Sequence, residues 1–97
     1  MATSHDYFLF ILELLRETSG ITYKKMMGEY ILYKDGVIFG GVYDNRFLMK
    51  KTKALENEDF KEVIPYPSAK PMYLIDSEDS EYISELVTKT IKSLHNK

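Results

Sequence analysis

The sequence predicts an α+β domain in which an N-terminal and a C-terminal helix pack on one face of an antiparallel sheet. Three observations predict this fold: an apolar helical segment near the start, a central run of short β-type segments separated by turns, and an amphipathic helix at the end. The predicted order is a helix, a three-stranded meander, a short helix or loop, one or two further strands and the closing helix. The 97 residues are expected to form a single domain, because no linker or internal repeat divides them.

Residues 26–51 form the predicted meander. Its strands are roughly Glu29–Lys34, Val37–Tyr43 and Arg46–Lys51. Asp35-Gly36 and Asp44-Asn45 separate them, and these residue types tolerate the positive φ that tight hairpin turns need. Gly40-Gly41 interrupts the middle strand, which is typical of a bulge, a bend or close packing on the backbone.

Residues 5–18 predict a first helix that is apolar around more of its circumference than one core face needs. Its core stripe consists of Phe8, Ile11, Leu12 and Leu15, and the stripe beside it of Tyr7, Phe10 and Leu14. Monomers tend to cover such a stripe. Either the closing helix or the segment that contains Pro65, Pro67 and Pro71 folds over it, or a second copy of the chain does. The latter interpretation predicts a homodimer whose interface includes Tyr7, Phe10 and Leu14.

The remaining segments are less regular. Residues 21–28 are predicted to be a connector, and residues 53–63 a short helix or turn. Residues 72–75 favour a strand, paired with residues 64–66 or added to the meander edge, before a closing helix near Ser80–His95. The predicted core consists of Phe8, Ile11, Leu12, Leu15, Phe39, Phe47, Met49, Ile83, Val87 and Ile91.

One set of residues in the centre of the chain also matches a known pattern. The set is Lys24-Lys25-Met26-Met27-Gly28-Glu29-Tyr30, Tyr33, Asp35-Gly36, Val37-Ile38-Phe39-Gly40 and Asp44-Asn45-Arg46-Phe47-Leu48-Met49-Lys50. In order and spacing it resembles the N-terminal domain of the TfoX/Sxy family of bacterial competence regulators, with a departure at Met27, where Phe is usual. The resemblance implies the same α+β arrangement and a role beside transcription factors. Family members usually carry a C-terminal helical domain, which we expect this chain to lack.

Charge is unevenly spread along a chain of net charge −2. Residues 24–53 contain seven basic and three acidic side chains, whereas residues 54–85 contain nine acidic and two basic ones. The candidate contacts for nucleic acid or a partner are Lys24, Lys25, Arg46, Lys50 and Lys51. Tyr30, Tyr33 or Tyr43 could stack on bases. Because the acidic half opposes the basic meander, any nucleic-acid binding is predicted to be weak and salt-sensitive.

Side-chain patterns typical of catalysis, metal binding or cofactor binding are missing from the sequence. The chain has no cysteine, and His5 and His95 have no second ligand at helical spacing. No nucleophile elbow or phosphate-binding glycine loop occurs. We therefore expect no catalytic residues, no metal and no cofactor, and a protein that is not an enzyme. The start lacks a signal-peptide pattern and no apolar run is of membrane-spanning length, which predicts a cytoplasmic protein without membrane contact.

The preferred functional prediction is a regulatory or adaptor domain that acts through protein contacts in transcriptional regulation, as the resemblance implies. Its partner would be another protein, for instance a transcription factor. Direct, weak nucleic-acid binding through the basic meander is the alternative. A small-ligand pocket between the first helix and the sheet is a third interpretation.

Overall fold

This computed structural model describes residues 2–95, which contain two α-helices and six β-strands. In chain order they are α1 (His5–Leu14), β1 (Ile21–Met26), β2 (Glu29–Lys34), β3 (Val37–Val42), β4 (Phe47–Met49), β5 (Glu62–Val63), β6 (Met72–Leu74) and α2 (Ser80–His95), with a 3₁₀ helix (Lys53–Glu58) between β4 and β5. The strands form one antiparallel sheet in the order β1-β2-β3-β4-β6-β5. The predicted α+β class is therefore confirmed.

Both helices pack against one face of the sheet, as the sequence predicts. Phe8 of α1 lies flat on Tyr30 of β2, with ring centroids 3.7 Å apart and ring planes 5° from parallel. Ile83 and Val87 of α2 are fully buried in the same apolar cluster. We call this the covered face of the sheet and the opposite side the open face. Burial of each large apolar side chain contributes about 1.5–3 kcal/mol, so the covered face holds the fold together.

Most of the predicted core is confirmed. However, α1 is shorter than predicted, and the side of the helix that faces the core differs from the predicted stripe. The helix ends at Leu14 rather than at residue 18, and its N-cap is Ser4, whose hydroxyl accepts a hydrogen bond from the Tyr7 amide (3.1 Å). Leu14 is 6% exposed, whereas Leu12 is only half-buried. At about 100° per residue, a face centred on Ile11 includes Leu14 and leaves Leu12 at its margin. The predicted core residue Ile91 of α2 is likewise half-buried.

Residues 21–28 form a strand and a turn rather than the predicted connector. β1 pairs with β2 along its full length, so the meander has four strands instead of three. Met27 and Gly28 close this hairpin with φ of 51° and 83°, the conformation that a two-residue turn requires. Five of the six side chains of β1 are exposed, and Met is uncommon at positive φ. The strand therefore shows neither apolar alternation nor a familiar turn pair in the sequence.

The two glycines of β3 lie at a bulge, as their position in the sequence indicates. Leu32 pairs with Gly40 and Tyr33 with Ile38, so Phe39 is the extra residue on β3. The bulge leaves Phe39 fully buried in the cluster on the covered face. A Cβ on Gly40 would collide with the backbone of β4. A side chain at that position would thus force β3 and β4 apart.

The predicted strand at residues 72–75 is present as β6 and has neighbours on both sides. It extends the meander by pairing with β4, and it pairs with β5 on its outer side. The outer partner is therefore residues 62–63 and not the predicted residues 64–66. Pro65 lacks the amide hydrogen that a continuing strand would use, so the chain leaves the sheet there.

α2 spans the predicted residues Ser80–His95. Asp79 caps its start, since its Oδ1 accepts hydrogen bonds from the amides of Glu81 (3.0 Å) and Tyr82 (3.2 Å). Ser77 supports the cap by accepting a hydrogen bond from the Asp79 amide (3.1 Å). Within residues 2–95, neither helix has the length and apolarity needed to cross a membrane.

Candidate functional site

The open face of the sheet carries an apolar strip that no helix covers. Ile31, Gly41, Leu48 and Leu74 lie opposite one another on four neighbouring strands, so they share one face. Leu48 is nevertheless fully buried. A Cβ on Gly41 would lie 2.6 Å from Cε2 of Tyr43, so the Tyr43 ring lies over that glycine. Because residue 41 has no side chain, the Tyr43 ring can approach the strip this closely.

Residues 64–71, which contain the three prolines, run beside Tyr43 and form a wall. The ring centroid of Tyr66 is 6.1 Å from that of Tyr43. Arg46 joins the wall to the β3–β4 turn, because its Nη2 donates a hydrogen bond to the Pro65 carbonyl (3.4 Å) and its Nε donates to the Tyr43 carbonyl (3.1 Å). Arg46, a predicted contact residue, therefore positions the wall.

A cleft of about 660 Å³ opens between this wall and the sheet. Its lining includes Ile38, Tyr43, Lys50, Tyr66, Lys70 and Met72. Two of its apolar or aromatic lining residues remain in contact with solvent: Ile38 is 37% exposed and Tyr66 58%. Lys50 and Lys70 add positive charge at the rim. The cleft thus combines an apolar floor with cationic edges, and we call it the open-face cleft.

The tyrosine at the floor of the open-face cleft is a hydrogen-bond donor at neutral pH. Burial raises the pKa of the Tyr43 phenol, and the nearby Tyr66 and Glu29 raise it further. The phenol therefore keeps its proton well into the alkaline range. A carboxylate or carbonyl oxygen that enters the cleft would find a donor there.

The five basic residues predicted as contacts do not form one patch. Lys24, which pairs with Ile31, and Lys50 lie on the open face. Lys25 lies on the other side, with Nζ 5.8 Å from the centroid of the Tyr30 ring. Lys51 forms a salt bridge to Glu62 (3.0 Å). Lys70 joins the open-face group but was missed, because no local pattern brings residue 70 to this strip.

Of the tyrosines predicted to stack on bases, Tyr30 is not available. It is 3% exposed and stacked on Phe8, since its strand position faces the helices. Tyr33 and Tyr43 are half-buried and belong to the open face. Of the three predicted tyrosines, Tyr33 and Tyr43 therefore remain candidates for base stacking, and Tyr66 lies beside Tyr43.

The predicted dimer stripe of α1 is only partly accessible. Phe10 is 41% exposed, and its ring centroid is 6.0 Å from that of the half-buried Tyr7. Leu9, which is 48% exposed, extends this patch. Leu14 is buried in the protomer's own core and is not free to contact a second copy. Phe8, Ile11 and Leu15 of the helical segment lie in the core cluster between α1 and the sheet, which is where the third interpretation placed a small-ligand pocket.

Among residues 2–95, no three His, Cys, Asp or Glu side chains come together in a group that could hold a metal ion.

The described residues define a small α+β domain with one helix-covered sheet face and one open face that is aromatic and basic. Comparison with known proteins then places the chain in a family. It is 32% identical over 100 residues to a protein of Spirochaeta aurantia called "Uncharacterized 12.7 kDa protein in trpE 5′ region", an alignment that spans 97% of this chain and 85% of that protein. The chain belongs to the same family as that protein. No family model matches the chain.

Proposed function

We propose that this protein is a non-enzymatic regulatory or adaptor domain, similar to the N-terminal domains of the TfoX/Sxy family, that binds a protein partner through its open face. The observation that carries the proposal is the open-face cleft, where solvent-exposed apolar and aromatic side chains lie beside lysines. Exposed apolar clusters with a polar rim mark interaction sites. Tyrosine in particular is enriched at protein interfaces, because its ring packs while its hydroxyl remains hydrogen-bonded.

The chemistry of the cleft selects a partner segment of mixed character. Apolar side chains of the partner would pack on Ile38 and Tyr66, and its carboxylates would meet Lys50 and Lys70. Complementary charge at an interface rim favours the right partner and speeds association. The resemblance to competence regulators supports a partner that works in transcriptional regulation, such as a transcription factor. A cytoplasmic location suits this role and a chain without cysteine.

A pull-down from the native cytoplasm, with nuclease treatment, tests this proposal. We expect the wild type to retain a specific protein, and Tyr66→Ala combined with Lys50→Glu to release it. Lys61→Glu is the matched control, because Lys61 is exposed and outside the cleft lining. Retention of the same protein by the cleft variant would contradict the proposal.

Direct nucleic-acid binding is the alternative, and Lys24, Lys50 and Lys70 near Tyr33 and Tyr43 favour it. A few phosphate contacts give weak binding that falls steeply with salt. Titration of labelled single- and double-stranded DNA at low and physiological salt measures this directly. Tight, salt-resistant and sequence-dependent binding would replace the adaptor proposal.

We further propose that the protein is a homodimer that pairs through Tyr7, Phe10 and Leu9 of α1. Leu9 and Phe10 are exposed and the half-buried Tyr7 ring lies beside Phe10, so the three side chains form an apolar patch on α1. A two-fold contact there would leave the open face free for the partner.

A further inference from the structure

A second cleft, of about 710 Å³, lies where the 3₁₀ helix begins beside the C-terminal part of α2. Its lining consists of Lys51, Thr52, Lys53, Ala54, Lys89, Lys92, Ser93 and Leu94. Four of these eight residues are lysines and none is acidic, although the whole chain has a net charge of −2. We call this site the lysine cleft. Its charge is a property of the tertiary structure, since it combines residues 51–53 with residues 89–92.

Carboxylates outside the lining neutralise only part of this charge. Glu62 accepts a hydrogen bond from Lys51 (3.0 Å), and Glu58 lies 3.6 Å from Nζ of Lys89. Lys53 and Lys92 form no salt bridge with any described residue. Like charges brought together repel unless an anion lies between them. The lysine cleft therefore carries excess positive charge that an anion would stabilise.

Thr52 supplies an independent observation. Its Oγ1 is buried and has no hydrogen-bond partner among the described residues. A buried hydroxyl without a partner costs free energy, so such groups are uncommon and call for an explanation. Rotation about χ1 exchanges the positions of the hydroxyl and the methyl group. An acceptor oxygen bound in the cleft would give this hydroxyl the partner that residues 2–95 do not provide.

We propose that the lysine cleft binds a phosphorylated small molecule, with its phosphate between Lys53 and Lys92. A phosphate group carries about −1.5 to −2 charge and three strong acceptor oxygens, enough for two ammonium groups and the Thr52 hydroxyl. Lysine serves as a point charge for phosphate in many sites. The volume of the lysine cleft lies within the range of about 300–1,000 Å³ that small-ligand sites occupy. Ala54, Leu94 and the lysine stems provide apolar walls for the rest of the ligand.

The lysine cleft is proposed to bind a phosphorylated small molecule, whereas the open-face cleft is proposed to bind a protein. The first proposal does not depend on the second. Lys51 and Leu94 nevertheless line both clefts. A ligand in the lysine cleft would therefore lie next to the surface proposed to bind the partner.

Titration of ¹⁵N-labelled protein with pyrophosphate and with ATP at low salt, followed by NMR, tests the proposal. We expect saturable shifts at the amides of Thr52, Lys53 and Ser93. Lys53→Gln and Lys92→Gln should each weaken binding about tenfold, because each removes a charge-assisted hydrogen bond. Lys61→Gln, which alters an exposed lysine outside the lining, should bind as the wild type does.

Thr52→Val separates a ligand contact from a structural role. Valine keeps the shape and removes only a hydroxyl that has no partner in the described part of the chain, so the melting temperature should not fall while affinity for pyrophosphate does. Unchanged affinity in Thr52→Val and in both lysine variants would overturn the proposal, as would the absence of saturable shifts. Binding of a short oligonucleotide without binding of pyrophosphate or ATP would also overturn it, and would assign the lysines to nucleic acid.

Discussion

Thr3 is tied to Glu29 by two hydrogen bonds to the same carboxylate oxygen. The Thr3 hydroxyl donates to Glu29 Oε1 over 2.6 Å, and the Thr3 amide donates to it over 3.0 Å. The amide of Asp44 donates to Glu29 Oε2 over 3.1 Å. One carboxylate at the start of β2 thus joins the segment before α1 to the turn between β3 and β4.

Glu29→Ala should lower the free energy of unfolding by about 1–3 kcal/mol, because it leaves partly buried donors without an acceptor. Urea denaturation measures the change. Glu85→Ala is the matched control: Glu85 is exposed on α2, and we expect a change within about 0.5 kcal/mol. Equal effects of the two substitutions would show that the Thr3–Glu29 contact contributes nothing to stability.

Phe39→Ala should lower the free energy of unfolding by about 3–5 kcal/mol, because the ring fills the core at the bulge and its removal leaves a cavity. Urea denaturation measures this change. Its neighbour Ile38 is 37% exposed on the open side of the same strand. Ile38→Ala should therefore cost clearly less. A loss below about 1 kcal/mol for Phe39→Ala is incompatible with a buried ring.

Alkaline pH should weaken the contact between α2 and the 3₁₀ helix. The Tyr82 hydroxyl donates a hydrogen bond to Glu58, which, with burial, raises the pKa of Tyr82 to about 12 from a model-compound value of 10.0. Because the folded-state pKa is the higher one, this stabilisation is complete below pH 10 and is lost as pH rises through about 12. Tyr82→Phe removes it at every pH.

The difference in free energy of unfolding between wild type and Tyr82→Phe, measured by urea denaturation across this range, isolates the effect from the other tyrosines. We expect the difference to shrink between pH 10 and about 12. A difference that is constant with pH would contradict the assignment.

Light scattering tests the proposed dimer. The wild type should have twice the monomer mass, and Phe10→Glu should be monomeric, because it places a charge in the apolar patch of α1. Tyr66→Glu, which changes an exposed aromatic residue on the open face instead, should remain dimeric. A wild type that stays monomeric at high protein concentration excludes the dimer.

The sequence by itself determined the elements whose conformation depends on residues that are close together in the chain. Asp35-Gly36 and Asp44-Asn45 adopt the positive φ that their residue types tolerate, at 50°, 82°, 51° and 57°, and the hairpins follow from them. The bounds of α2 follow from its apolar period and from Asp79, whose carboxylate can cap only the helix beside it. In each case the information lies within a few residues of the structure it specifies.

Only the tertiary structure decided which side each element turns toward the core and which distant residues meet. The sequence does not predict β1, because most side chains of this edge strand are exposed and show no apolar alternation. Only its pairing with β2 identifies it as a strand. Tyr30 and Leu14 are buried because packing set the faces of β2 and α1. A one-residue slip in the register of β2 would exchange its inner and outer side chains. Lys53 and Lys92 share a cleft because the chain between them folds back on itself. Such contacts depend on the whole core, and no local pattern encodes them.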